Sequence, residues 1–321
     1  MRLVVIGVVW AIAAVAGVAI ESDYLVSVAT AMVFLGLWAQ SWNVLSGLTG
    51  NISLGHSAFV AVAAYVTVIL QQKGLSPLIG GVLGVAAAVV LAAIIGAATL
   101  RLRGPYFTLA TLSAAAVVLS LILHYSDLTG GPSGIAITFA HDAPLELEFT
   151  NVRAYYLIAT ALLAAVTMFI SLIRHSRLGF YVAAIKSSEE AAAAAGVRVA
   201  LVKVTVFCLS AAFTALGGVV YVFYIGFADP NFLSGLTLSI QIALTAVVGG
   251  TGYLVGPIVG AIFYEALDAA ANAAFGAAGG WDVMILGFSV VAIVLTEPRG
   301  LCEMAVRLAR AIADRVQSAT A

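Results

Sequence analysis

The chain has 321 residues, 63% of them hydrophobic and only 9% charged, where a soluble domain carries about 25% charged residues, so a water-soluble globular protein is excluded. A net charge of −1 provides no basic field to attract nucleic acid. Cys208 and Cys302 are too few for a disulfide framework, and no His, Cys or carboxylate spacing suits a metal.

The charges are segregated. Residues 24–100 contain one charged side chain, Lys73, and residues 204–264 contain only Asp229. A bilayer core of about 30 Å takes about 20 apolar residues as a helix, and ten apolar runs follow along the chain. Leu3 to Ile20 comes first; it is longer than the roughly 7–15 residues of a signal-peptide core and is expected as a retained span. Tyr24 to Leu45, Ser57 to Leu70, Leu78 to Leu100, Tyr106 to Leu123 and Ala154 to Ile173 follow, then Val204 to Ile225, Leu236 to Val248, Tyr253 to Leu267 and Val283 to Thr296. Four of these are short for a bilayer, and Gly249, Gly250 and Gly252 separate two that would be too long if continuous. The expectation is an all-α polytopic membrane protein of about ten helices, some broken or short.

With the N-terminus placed in the cytoplasm, ten crossings put 12 of the 14 Lys and Arg residues inside, leaving only Lys73 and Arg153 outside. Both termini are then cytoplasmic. Residues 1–297 form the membrane domain, with an outer loop over 124–153 that carries Asp127, Asp142, Glu146 and Glu148, and an inner loop over 174–203. Residues 298–321 read as a cytoplasmic amphipathic tail, with Arg307, Arg310 and Arg315 beside an apolar stripe.

Two interruptions stand out. Asn43 to Ser57 breaks an apolar stretch with glycines and uncharged polar groups, and Gly249 to Pro257 does the same in the second half. Backbone that leaves a helix at membrane depth must be satisfied by protein or water, and paired Gly/Pro-broken short spans point to a transport pathway. The candidates for lining it are Asn43, Gly50, Asn51, Ser53, His56, Gly250, Thr251 and Tyr253. His56 is the titratable one, and its expected role is a hydrogen bond to local backbone. Glu265, Asp268 and Asp282 are expected near outer helix ends, leaving the spans without an embedded carboxylate. The outer segment Asp127-Leu-Thr-Gly-Gly-Pro-Ser-Gly-Ile135 has strong turn chemistry, suited to a periplasmic partner or to folding the loop back.

The inner loop carries its own helix. Ser187 with Glu190 reads as a capping box, five alanines follow, and Gly196 is placed as the stop. Such a helix contributes little to a core; it either lies idle on the membrane surface or is gripped by a cytosolic partner. The chain has no Gly-x-x-x-x-Gly-Lys-Ser/Thr loop for ATP, and no catalytic motif of a membrane enzyme.

Glu190-Ala-Ala followed three residues later by Gly196 resembles the EAA loop of ABC-importer permeases, the helix that docks on the ATP-binding subunit. The whole chain is similar to the branched-chain amino acid, or LivM-like, class of these inner-membrane permeases. The likeness is carried by Gly47 to Phe59, Arg101 to Thr111, Leu128 to Ile135 and Val248 to Pro257, in the family's order. It implies ATPase docking through Lys186, Ser187, Glu189, Glu190, Ala191, Ala192 and Gly196. It further implies a second related permease, two ATP-binding subunits that use ATP and Mg, and a periplasmic substrate-binding protein; this chain would bind no cofactor itself. One departure is visible: Lys186-Ser187-Ser188-Glu189 stands where the family commonly reads Arg-Glu-Asn-Glu. Related systems carry urea, short amides or aromatic acids, and a stand-alone channel or secondary carrier is the alternative from another class.

Overall fold

The structure, a computed structural model, describes residues 2–102, 104–137, 146–276, 281–297, 300–304 and 307. Its helices are α1 (Arg2–Ala19), α2 (Asp23–Thr49), α3 (His56–Gln72), α4 (Pro77–Thr99) and α5 (Pro105–His124), then a single turn α6 (Ser126–Thr129). There follow α7 (Val152–Arg174), α8 (Arg177–Ser187), α9 (Glu189–Ala194), α10 (Val199–Ile225), α11 (Pro230–Leu233), α12 (Leu236–Gly249), α13 (Gly256–Phe275) and α14 (Trp281–Thr296). Among the described residues, α2, α4, α5, α7, α10 and α13 are long and apolar enough to cross a membrane. The shorter α1, α3, α12 and α14 fall on the remaining apolar runs. Among the described residues, one strand pair joins β1 (Ile135–Ala136) to β2 (Phe227–Ala228) antiparallel, so the turn-rich segment before β1 folds back onto the chain just after α10.

Helix starts follow local chemistry. Pro77 and Pro105 occupy first-turn positions, where a missing N–H costs nothing, and Asn151 Oδ1 accepts the Arg153 amide at 2.9 Å to cap α7. Helix α2 runs through the centre, with nearly every residue from Phe34 to Gly47 buried, and α7, α10, α12 and α13 pack around it. A second bundle joins α3, α4 and α10. Its contact stripe on α4 is small at every fourth residue: Gly80, Gly84, Ala88, Ala92 and Gly96 are all buried. A Cβ at Gly84 would stand 2.6 Å from the Ala63 carbonyl oxygen, so the backbones of α3 and α4 touch. This is how small residues hold helices together where lipid supplies no hydrophobic drive.

The loops gather at two faces. On one, Arg153 donates to the Ile20 and Glu21 carbonyls at 3.0 and 3.2 Å and pairs with Asp23 at 3.1 Å, while Tyr65 donates to the Ala228 carbonyl at 2.9 Å. Glu148, expected on an open acidic surface, is buried and accepts from Gln71 at 3.4 Å. At the opposite face lie residues 47–55, 174–203, 250–255 and 300–303. Asp142 and most of the tail fall outside the described residues.

One placement corrects the sequence reading. Helix α13 extends to Phe275, so Glu265 sits halfway along it, half-buried, and not at an outer end. An embedded carboxylate is therefore present, because the helix continues through Asp268 and Asn272, whose side chains bond to one another at 3.1 Å.

Candidate functional site at the junction of two helix breaks

The first break begins where α2 ends at Gly50, whose φ of 80° is the left-handed conformation that closes a helix with an amide bond to the Ser46 carbonyl. The second spans Gly250–Val255, between α12 and α13. Here a Cβ at Gly249 would lie 1.9 Å from the Gly256 carbonyl oxygen, so the two helices meet backbone to backbone. Helix α12 takes up the Gly250 amide through the Ala246 and Val247 carbonyls, and polar side chains of α2 satisfy peptides farther into the break. Gln40 donates to the Leu254 carbonyl at 2.8 Å; Asn43 donates to the Tyr253 carbonyl at 3.1 Å and accepts the Gly252 amide at 2.9 Å. Buried backbone groups need such partners.

The inner loop grips both breaks. Lys186 Nζ donates to the Gly47 carbonyl at 2.7 Å, and Arg174 Nη2 donates to the Gly252 carbonyl at 2.5 Å. Gly47 lies in the last turn of α2, where carbonyls lack helical donors and a cation is favoured by the helix dipole. The loop holds two helices where one was expected. Helix α8 continues through Ser187, and Ser188, not Ser187, caps α9 by accepting the Ala191 amide at 3.2 Å. Glu190 thus falls one position short of a capping box, because the chain bends at Ser188. Gly196, at φ 88°, ends the second helix with amide bonds from Gly196 and Val197 to the Ala193 and Ala192 carbonyls. Glu189 pairs with Lys203, whose side chain is almost wholly buried at the base of α10. Phe180, Tyr181 and Leu201 are exposed, as are Glu190, Ala191 and Ala193 to Gly196, while Ala192 is buried.

Between this loop, the first break and the start of α5 lies an open recess of about 900 Å³, lined by Gly50, Asn51, Thr108, Lys186, Ser187, Glu189 and Glu190 among others. The sequence candidates therefore separate. Gly50 and Asn51 face the recess, and Thr251 is exposed on the same face. Asn43 is buried with both ends of its amide engaged, and Ser53 is buried within its turn, accepting from the Gly55 amide and, through its carbonyl, from Trp42 Nε1. Gly250 lies under Gly300, and Tyr253 donates to the Glu303 carboxylate.

His56 is fully buried and bonds to Ser210 Oγ at 2.8 Å, 154 residues away, not to local backbone. Ser210 spends its one proton on the Ser41 carbonyl at 2.6 Å, so it accepts from His56 and the ring is assigned as the Nε2–H tautomer. The result ties α3, α10 and α2 together. Gln40, Arg174, Lys203 and Ser210 were not among the site candidates read from the sequence: Arg174 and Lys203 counted there only as basic bounds of the inner loop, and the isolation of Gln40 in an apolar helix was the other available signal.

Residues 24–294 match the family of branched-chain amino acid transport system permease components. The chain belongs to that family. Among curated relatives, it is 27% identical to the high-affinity branched-chain amino acid transport system permease protein LivM of Escherichia coli, over 87% of this chain and 70% of the relative. It is also 25% identical to the fructose import permease protein FruG of Bifidobacterium longum, over 87% of this chain and 80% of that one. The ribose import permease protein RbsC of Escherichia coli is 25% identical, over 70% of each. No solved structure matches. The permease is a multi-pass inner-membrane transport protein and one component of a larger ABC-type system.

Proposed function

We propose that this permease forms half of a heterodimeric import pathway for branched-chain or related amino acids, driven by two ATP-binding subunits and fed by a periplasmic binding protein. The observation that carries this reading is the exposed two-helix loop Arg177–Ala194 standing over a recess whose opposite wall is the first helix break. A docking surface and a break in the membrane helices border one recess, the arrangement a push from an ATPase requires. On this reading, Ser187, Glu190, Ala191 and Gly196 belong to the ATPase contact, whereas Lys186, turned to the Gly47 carbonyl, Glu189, paired with Lys203, and the buried Ala192 do not, and Gly50, Asn51 and Thr251 face the inner mouth of the path. The loop side of the molecule is cytoplasmic, ATP and Mg are held by the partner subunits, and the turn-rich segment 127–135 faces the binding protein.

Amino acids are preferred because the first-named relative and the family description agree on them. A sugar is the second reading, favoured by the matches to FruG and RbsC. Gentle detergent extraction from the native host is expected to co-purify two P-loop proteins; recovery as a homogeneous oligomer without an ATPase would overturn the importer reading. The cargo follows from uptake of labelled leucine, fructose and ribose by host cells with and without this chain.

A further inference from the structure

We propose that Lys186 and Arg174 are the positioning residues that transmit movement of the inner loop to both helix breaks, and that they act at one shared junction. The inference rests on the importer reading of that loop. Lys186 stands near the end of α8 and Arg174 at the end of α7, so each belongs to an element that a docked partner would move. Neither cation faces a carboxylate among the hydrogen bonds and ion pairs of the described residues; each reaches a backbone carbonyl, Gly47 on the first break's helix and Gly252 in the second break.

The two targets adjoin. The Gly252 amide donates to Asn43, one turn before Gly47 on α2, and a Cβ at Gly47 would be only 3.1 Å from the Gly252 nitrogen. Lys186 Nζ lies 3.8 Å from where a Cβ of Gly252 would stand, so the ammonium seated on the Gly47 carbonyl also borders the second break. Two charged donors, the end of α2 and the loop after α12 thus meet at one point on the wall of the inner loop.

The junction is also incompletely satisfied. Arg174 Nε is buried and has no acceptor among the described residues. Leaving a buried donor unpaired is costly, so an alternative placement of the break that offers Nε a carbonyl gains what this arrangement lacks. Coupling between distant sites requires an element with two arrangements, and on this proposal the break around Gly252 is that element.

The test uses the complete complex in liposomes, with ATPase subunits and loaded binding protein, and measures solute imported per ATP hydrolysed. Lys186→Gln is expected to keep its ATPase subunits and hydrolyse ATP within about twofold of the unaltered complex, while solute per ATP falls about tenfold; Lys186→Arg should restore it. An unchanged ratio in Lys186→Gln overturns the proposal. So does loss of the ATPase subunits on this change, which would make Lys186 a docking residue. Arg174→Lys keeps charge and helix end while removing the guanidinium fork, so it provides the same measurement if Lys186→Gln fails to fold; an unchanged ratio there is equally fatal. Should the unaltered chain bring down no ATPase at all, the importer reading itself has failed, an outcome visible before any variant is made.

Discussion

Asn43 shows how a single polar side chain in an apolar helix is explained by the backbone it serves. Its amide supplies one donor and one acceptor to Tyr253 and Gly252, groups about 210 residues away that no helix satisfies. Asn43→Leu keeps the volume and orphans both. Each buried unsatisfied group costs about 1–3 kcal/mol, so thermal unfolding in detergent is expected at a clearly lower temperature than for the unaltered protein. Glu189 and Lys203 make a second residue-scale case. Removing one partner of a buried pair costs about 3–5 kcal/mol, and the 36% exposure of the Glu189 side chain puts Glu189→Gln at or below the low end of that range. Adding Lys203→Met to that variant removes the stranded charge and should recover most of the loss in the same assay. A stability unchanged by Glu189→Gln would show that the ion pair carries no weight.

At the scale of the elements, glycine decides which helices meet. On α4 the small stripe from Gly80 to Gly96 was present in the sequence only as general richness in alanine and glycine; the structure turns it toward α3 and α10. Gly84→Val would drive a branched side chain into the Ala63 backbone, which is 2.6 Å from the Cβ position and cannot yield as a side chain would. Overpacking of this kind costs about 1–3 kcal/mol, and Val82→Ala on the exposed face of the same helix is the control expected to leave thermal unfolding nearly unchanged. The inner loop was half-legible at this scale. Its Ala-rich helix and the Gly196 stop follow from propensity and φ, whereas the bend at Ser188 comes from a cap competing one residue later than the pattern suggested.

Across the whole molecule, the hydrogen bonds sort the loops into two faces, with the C-terminal segment at Gly300 and Glu303 against the second helix break and with Arg153 joining the ends of α1, α2 and α7 on the other side. A topology test follows. With Cys208 and Cys302 replaced by serine, a cysteine at Asp127 should react with a membrane-impermeant maleimide applied outside intact spheroplasts, and one at Ala194 only after lysis. Labelling in the opposite order would invert the orientation derived from the basic residues. Glu265 belongs to this scale too: its position was misjudged because the polar residues Asp268 and Asn272 imitate a helix end, and only the continued packing of α13 shows that the helix runs on.

Much of the architecture was legible from local composition. Partition into hydrocarbon acts on each segment by itself, so runs of apolar residues, the charges that bound them and the glycines that break them specify helices, loops and interruptions without knowledge of neighbours. What no local pattern contains is which interruption meets which. The pairing of Gly47 with Gly252, the seating of Lys186 and Arg174 on their carbonyls, and the turning of Asn43 away from solvent depend on side chains brought together from three distant stretches of chain. Those contacts exist only because buried backbone at a helix break must find partners, and only the packed helices determine who they are.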